Sequence, residues 1–143
     1  MTTPTEKAEK LSRQRALAAP ILGIALMVLH QGVFFNWEGE TINYFATAAW
    51  ALIAIACLTI IFTGGSWFIP KAVRALTDDE VTRENWSYAI QSGFGVGMAI
   101  CILVFVLEPF FPLTAQRAAH LIFSSGVGVT LVVFGSREQK SLA

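Results

Sequence analysis

The sequence predicts an all-α integral membrane protein, an antiparallel four-helix bundle with both termini in the cytoplasm. Three observations predict it: a composition too apolar for a water-exposed domain, four long uncharged runs, and a one-sided distribution of lysine and arginine. Of 143 residues, 55% are hydrophobic and 14% charged, against about 25% charged in an ordinary soluble domain. A soluble fold of this size would lack the polar side chains to cover its surface. The formal net charge is zero, so no global field attracts nucleic acid, and nucleic acid is not expected as a partner.

The uncharged runs extend from Ala16 to Trp37, Thr41 to Pro70, Asn85 to Leu107 and Ala118 to Ser136. Each is near or above the roughly 20 residues that a helix needs to cross a ~30 Å hydrocarbon core. Backbone in lipid must satisfy its own hydrogen bonds, and the runs lack the alternation of barrel strands, so helices are the expected spanning structure. Residues 1–143 then form a single transmembrane domain, with spans over 16–37, 44–69, 86–108 and 116–135 and a cytoplasmic loop over 70–85. The first run follows basic residues, as a secretion signal does. It exceeds the usual apolar region of ~7–15 residues and ends in bulky residues at Phe34, Phe35 and Trp37, so it is expected to be retained.

Lysine and arginine resist translocation and so set orientation. Lys7, Lys10, Arg13 and Arg15 precede span 1, Lys71, Arg74 and Arg83 lie in the central loop, and Arg137 and Lys140 follow span 4. Only Arg117 falls on the other side, a bias of nine to one. Aromatic residues mark the boundaries, with Trp37, Tyr44, Phe110 and Phe111 at the outer face and Trp67, Trp86 and Tyr88 at the inner one.

Local signals place the helix ends. Thr3-Pro4-Thr5-Glu6 offers an N-cap threonine, a proline at the first helical position and a capping-box glutamate. Thr77-Asp78-Asp79-Glu80 repeats the device, so helix 3 is expected to begin near Asp78. Glu6 with Lys10, Glu9 with Arg13 and Asp79 with Arg83 are favourable i,i+4 pairs. Pro70 kinks or ends helix 2, and Pro109 and Pro112 end helix 3. Asp78, Asp79, Glu80 and Glu84 read as capping and helix-dipole residues rather than as ligands of a divalent cation. The cytoplasmic cations could attract anionic lipid headgroups, but the acids beside them dilute that attraction and topology accounts for them.

Small residues let helices approach in lipid, where hydrophobicity alone does not drive association. Ala89, Gly93, Gly97 and Cys101 recur every four residues and define a groove on helix 3; Ser124 and Gly128 share that spacing on helix 4. Short outer loops are expected to set helix 1 against helix 2 and helix 3 against helix 4. The groove is expected to meet a helix of the same chain, a second copy being the alternative. Gly93-x-Gly95-x-Gly97 lacks the preceding strand of a nucleotide-binding loop and is read as packing.

Ionisable groups within a span are costly and so are candidates for function. His30, Glu108 and His120 all map to the outer third of the bundle and form the candidate ligand or proton site. Haem ligation by the two histidines, a transition-metal site with Glu108, and a proton or quinone site are the chemistries such groups offer. No H-x-x-x-H or E-x-x-H spacing supports them, so no metal or cofactor is expected. The plainer reading has His120 and Glu108 solvated at the interface and His30 hydrogen-bonded inside the bundle. Cys57 and Cys101 lie at similar depth in helices 2 and 3, where thiols pack inertly. No serine, threonine or cysteine has a base beside it to make a nucleophile.

The stretch Leu76-Thr77-Asp78-Asp79-Glu80-Val81-Thr82-Arg83, leading into a glycine-bearing span, resembles small uncharacterised bacterial four-span inner-membrane proteins. In these a D-E-x-x-R segment precedes the third span. The resemblance covers about half of the chain; it implies a bacterial inner membrane and carries over no activity or site. The size and span count also match small multidrug-resistance transporters, but their embedded first-helix glutamate has no counterpart, since span 1 contains His30 and no acid. The expected function is a non-enzymatic accessory or interaction protein whose partners are the lipid bilayer and a larger membrane complex or a second copy. The alternative is a small transporter or ligand-binding bundle using His30, Glu108 and His120.

Overall fold

The computed structural model describes residues 3–35, 44–63, 73, 76–77 and 79–142, apart from the side chains at 4, 29–35, 44–47 and 62. Among the described residues four helices can be delimited, in order α1 (Pro4–Phe35), α2 (Tyr44–Thr63), α3 (Glu80–Leu107) and α4 (Ala115–Ser141). Among the described residues there is no strand. Trp37, Trp67, Pro70, Lys71, Arg74 and Asp78, to which the sequence assigns boundary, loop or capping roles, lie outside the described residues, as does the Tyr44 side chain.

Four of the helix ends have a local cause. The Glu6 N–H donates to Thr3 Oγ1 at 3.3 Å and the Thr3 N–H to Glu6 Oε2 at 2.9 Å, closing the expected capping box. From there α1 runs for 32 residues, about 48 Å at helical rise. The cap of α3 is Asp79, whose side chain accepts from the Thr82 N–H at 2.8 Å. Thr77, expected to serve there, is instead buried, and its hydroxyl donates to the Val73 carbonyl at 3.2 Å. α3 stops at Leu107, two residues before Pro109, as expected. Thr114 caps α4 by accepting from the Arg117 N–H at 3.3 Å. The i,i+4 ion pairs read from the sequence do not form: among the described residues, Arg15 with Glu138 is the one ion pair. Exposed pairs gain too little to hold two long side chains in one geometry.

α1, α3 and α4 are long and apolar enough to cross a membrane, whereas the apolar stretch described in α2, Ala48–Ile61, is shorter. The side-chain distribution is inverted relative to a soluble protein. Phe105 is 81% exposed and Phe94 69%, while Thr82, Asn85, His120, Ser124, Thr130 and Glu138 are buried. Large apolar side chains facing outward while polar ones face inward is the arrangement expected when hydrocarbon is the solvent. Hydroxyls within the helices turn back on their own backbones: Thr59, Ser92, Ser124 and Thr130 each donate to the carbonyl four residues earlier, at 2.7–2.9 Å.

α4 is the central element, packed along its length against α1 on one side and α3 on the other. Among the described residues α1 thus packs along α4, whereas the sequence expectation sets helix 1 against helix 2. Among the described residues α2 touches the rest through single side chains, Trp50 against His120 and Phe123 of α4, and the Ile61 carbonyl accepting from Trp86 Nε1 of α3 at 2.8 Å. A short connection limits how far apart two helices can lie; it does not decide which helix has the better surface for close packing.

That surface is on α4. A Cβ at Gly93 of α3 would overlap Thr130 and the Gly126 carbonyl, and a Cβ at Gly128 would overlap Met27 of α1, so both backbones approach because no side chain intervenes. Ala89, Gly93, Gly97, Ser124 and Gly128 are all buried in these two seams. The expected groove therefore meets a helix of the same chain, but it stops short of Cys101, which is exposed. At Gly97 the nearest α4 atom would lie 3.8 Å from a Cβ, ordinary contact rather than overlap. The helices have begun to diverge there, so the next step of four residues falls outside the contact.

Candidate functional site

The contacts fix how the helices run. Arg15 near the start of α1 and Thr82 near the start of α3 both meet Glu138 near the end of α4, while Gly23 and Gly93 meet its middle. Both α1 and α3 are thus antiparallel to α4. One end of the molecule collects the start of α1, the start of α3 and the finish of α4; it is here called the terminal end.

At this end lies the most developed polar constellation among the described residues. Glu138 is 2% exposed. Arg15 Nη2 donates to its Oε1 at 2.9 Å, Thr82 Oγ1 to the same oxygen at 3.0 Å, and Asn85 Nδ2 to Oε2 at 3.2 Å. Asn85 in turn accepts at Oδ1 from Arg137 Nε at 3.1 Å. The network is thus continuous from Arg137 through Asn85 and Glu138 to Arg15, and it crosses all three packed helices. A buried carboxylate is tolerated when its lone pairs are met by a cation and further donors, and both of its oxygens are met here.

Aromatic rings wall the network. The Arg15 guanidinium carbon lies 5.2 Å from the centre of the Phe134 ring, and that of Arg137 4.2 Å from the Tyr88 ring, both within cation–π range. Phe134 meets Trp86 edge-on at 4.3 Å between centroids. Gln139 adds a backbone tie, its Nε2 donating to the Ala16 carbonyl at 2.8 Å. One donor is left over: Arg15 Nε is buried with no hydrogen-bond partner.

The residues singled out from the sequence fare differently. Glu108 caps the end of α3 and is exposed, as the plainer reading expects. His120 is 1% exposed, not solvated, with its ring 6.1 Å from that of Trp50. Placed one turn inside α4, it lies against the Trp50 indole, whose Nε1 is buried without a hydrogen-bond partner. The His30 side chain lies outside the described residues. Among the described residues no three His, Cys, Asp or Glu groups gather to hold a metal ion.

Glu138 and Asn85 were not among the residues singled out, yet the signal was present as period. Ser124, Gly128, Leu131, Gly135 and Glu138 advance by three or four residues, as do Thr82, Asn85, Ala89, Gly93 and Gly97, so each polar residue ends a packing stripe. No protein-family model, no curated protein and no solved structure matches this chain.

Proposed function

We propose that the chain is a multi-pass accessory or interaction protein of a bacterial inner membrane, non-enzymatic, with both termini cytoplasmic and α2 completing a four-span bundle. The observation that carries this reading is the use made of its buried polar groups. Glu138, Thr82, Asn85 and Arg15 hold one another and three helices together, which is a structural task. The glycine seams are likewise consumed inside the chain. What remains outward on α3 is a face of large apolar side chains, Phe94, Met98, Ile102 and Phe105, available to lipid or to the helix of a partner.

The orientation is supported by the positions of the cations. Lys7, Lys10, Arg13, Arg15, Arg83, Arg137 and Lys140 all belong to the terminal end, and Arg117 to the other. A fluorescent-protein fusion after Ala143 is expected to fluoresce and a periplasm-dependent phosphatase fusion at the same point to be inactive; the reverse pair contradicts the orientation.

The interaction role is tested with Cys101, which is exposed on α3. In a Cys57→Ser background, a membrane-permeant maleimide cross-linker applied to native membranes is expected to join Cys101 to a second copy or to one recurrent partner. A chain that stays un-cross-linked and purifies as a monomer in mild detergent contradicts the role. Gly97 does not serve such an interface in this reading, because it faces α4 of its own chain.

A further inference from the structure

Two adjoining clefts at the terminal end share Arg15, Trp86 and Phe134 in their walls. One has a volume of about 360 Å³ and is lined further by Leu22, Ile60 and Leu131. The other, about 250 Å³, adds Arg83, Ser87 and Ile90. The two cations lie where α1 and α3 begin, and Leu22 and Leu131 line the larger cleft further along α1 and α4.

Two features define what such a space accepts. The Arg15 Nε donor is buried and unpartnered, and a buried donor without an acceptor is costly. Arg15 is already paired with Glu138, which accepts from three side chains, so among the described lining residues Arg83 is the cation with no acid paired to it. Asp79 is engaged as the cap of α3, and neither Glu80 nor Glu84 lines either cleft. The depth selects the source of the anion. Arg15 immediately precedes the apolar run that starts at Ala16, so the cationic wall sits at headgroup level and the aliphatic wall at acyl-chain level.

We propose that these clefts form a binding site for an acidic phospholipid of the leaflet next to the terminal end. Its phosphate lies against Arg15 and Arg83, and one acyl chain runs along Leu22, Ile60 and Leu131. A free phosphate would leave the aliphatic wall unfilled, and a zwitterionic lipid would bring its own cation to the two arginines. The site is independent of the interaction role above, because lipid preference and oligomeric state are separate readouts.

The test leaves Trp86 as the only indole, through Trp37→Phe, Trp50→Phe and Trp67→Phe in the full chain reconstituted in phosphatidylcholine vesicles. Brominated phosphatidylglycerol or brominated phosphatidylcholine is then added at equal mole fraction. Brominated phosphatidylglycerol is expected to quench Trp86 more strongly, with a relative binding constant about fivefold higher for each arginine engaged. Arg83→Gln, an exposed position outside the Glu138 network, is expected to lower that preference about fivefold. The paired change Arg15→Gln with Glu138→Gln is expected to lower it as well; if that pair does not fold, Arg83→Gln decides alone. Equal quenching by the two lipids overturns the proposal, as does an Arg83→Gln protein with its preference intact. Loss of the preference on adding inorganic phosphate at constant ionic strength overturns the assignment to a lipid.

Discussion

At one end of α4 the Glu138 carboxylate touches three side chains from two other helices; at the other, His120 is as deeply buried but sits beside the indole of Trp50. The same helix therefore solves polar burial in two ways. At the terminal end a charge is neutralised by a charge and shared among donors, so the contact fixes which helices meet and in what register. At the far end the His120 ring lies against the Trp50 indole of α2, a helix that makes few contacts among the described residues. The difference teaches that specificity in this chain is concentrated where α1, α3 and α4 converge on Glu138, and that burial alone does not identify the group organising a membrane protein.

The comparison breaks most visibly at Glu138. Glu138→Ala leaves the partly buried Arg15 without its counter-ion and is expected to cost about 3 kcal/mol, read as a fall in the midpoint of denaturant-induced unfolding in mixed micelles. Next comes the seam between the two ends: Gly93→Leu must displace Thr130 and the Gly126 backbone, and overpacking of this kind costs about 1–3 kcal/mol. Gly95→Leu is its control, since no atom lies within 4 Å of a Cβ there, and it is expected to change stability by less than about 0.5 kcal/mol. Smallest of all is Glu108→Gln at the exposed far end of α3, expected within about 0.5 kcal/mol of the parent. If Glu108→Gln were to match Glu138→Ala, the contrast between the two ends would be lost.

Much of the fold was legible because it depends on local signals. Uncharged runs gave the helices, Thr3 with Glu6 gave the start of α1, Pro109 gave the end of α3, and the four-residue spacing of Ala89, Gly93 and Gly97 gave the buried face. What was not legible depends on partners distant in sequence. Glu138 stands between Arg137 and Gln139 in a polar tail and reads as solvated, until Arg15, 123 residues earlier, is placed beside it. The central position of α4 was missed for the same reason, since loop length constrains neighbours but close packing selects them. Cys101 fits its stripe by spacing and fails it by geometry, because spacing contains no information on where two helices diverge.

The most direct test of the central claim, that the Arg15–Glu138 pair joins α1 to α4, is a double-mutant cycle in mixed micelles using Arg15→Met and Glu138→Met. Each single change is expected to destabilise by about 3 kcal/mol or more, and the double change to return most of that loss, because two packed apolar side chains leave no charge stranded. Additive losses, with the double variant the least stable of the three, would contradict it.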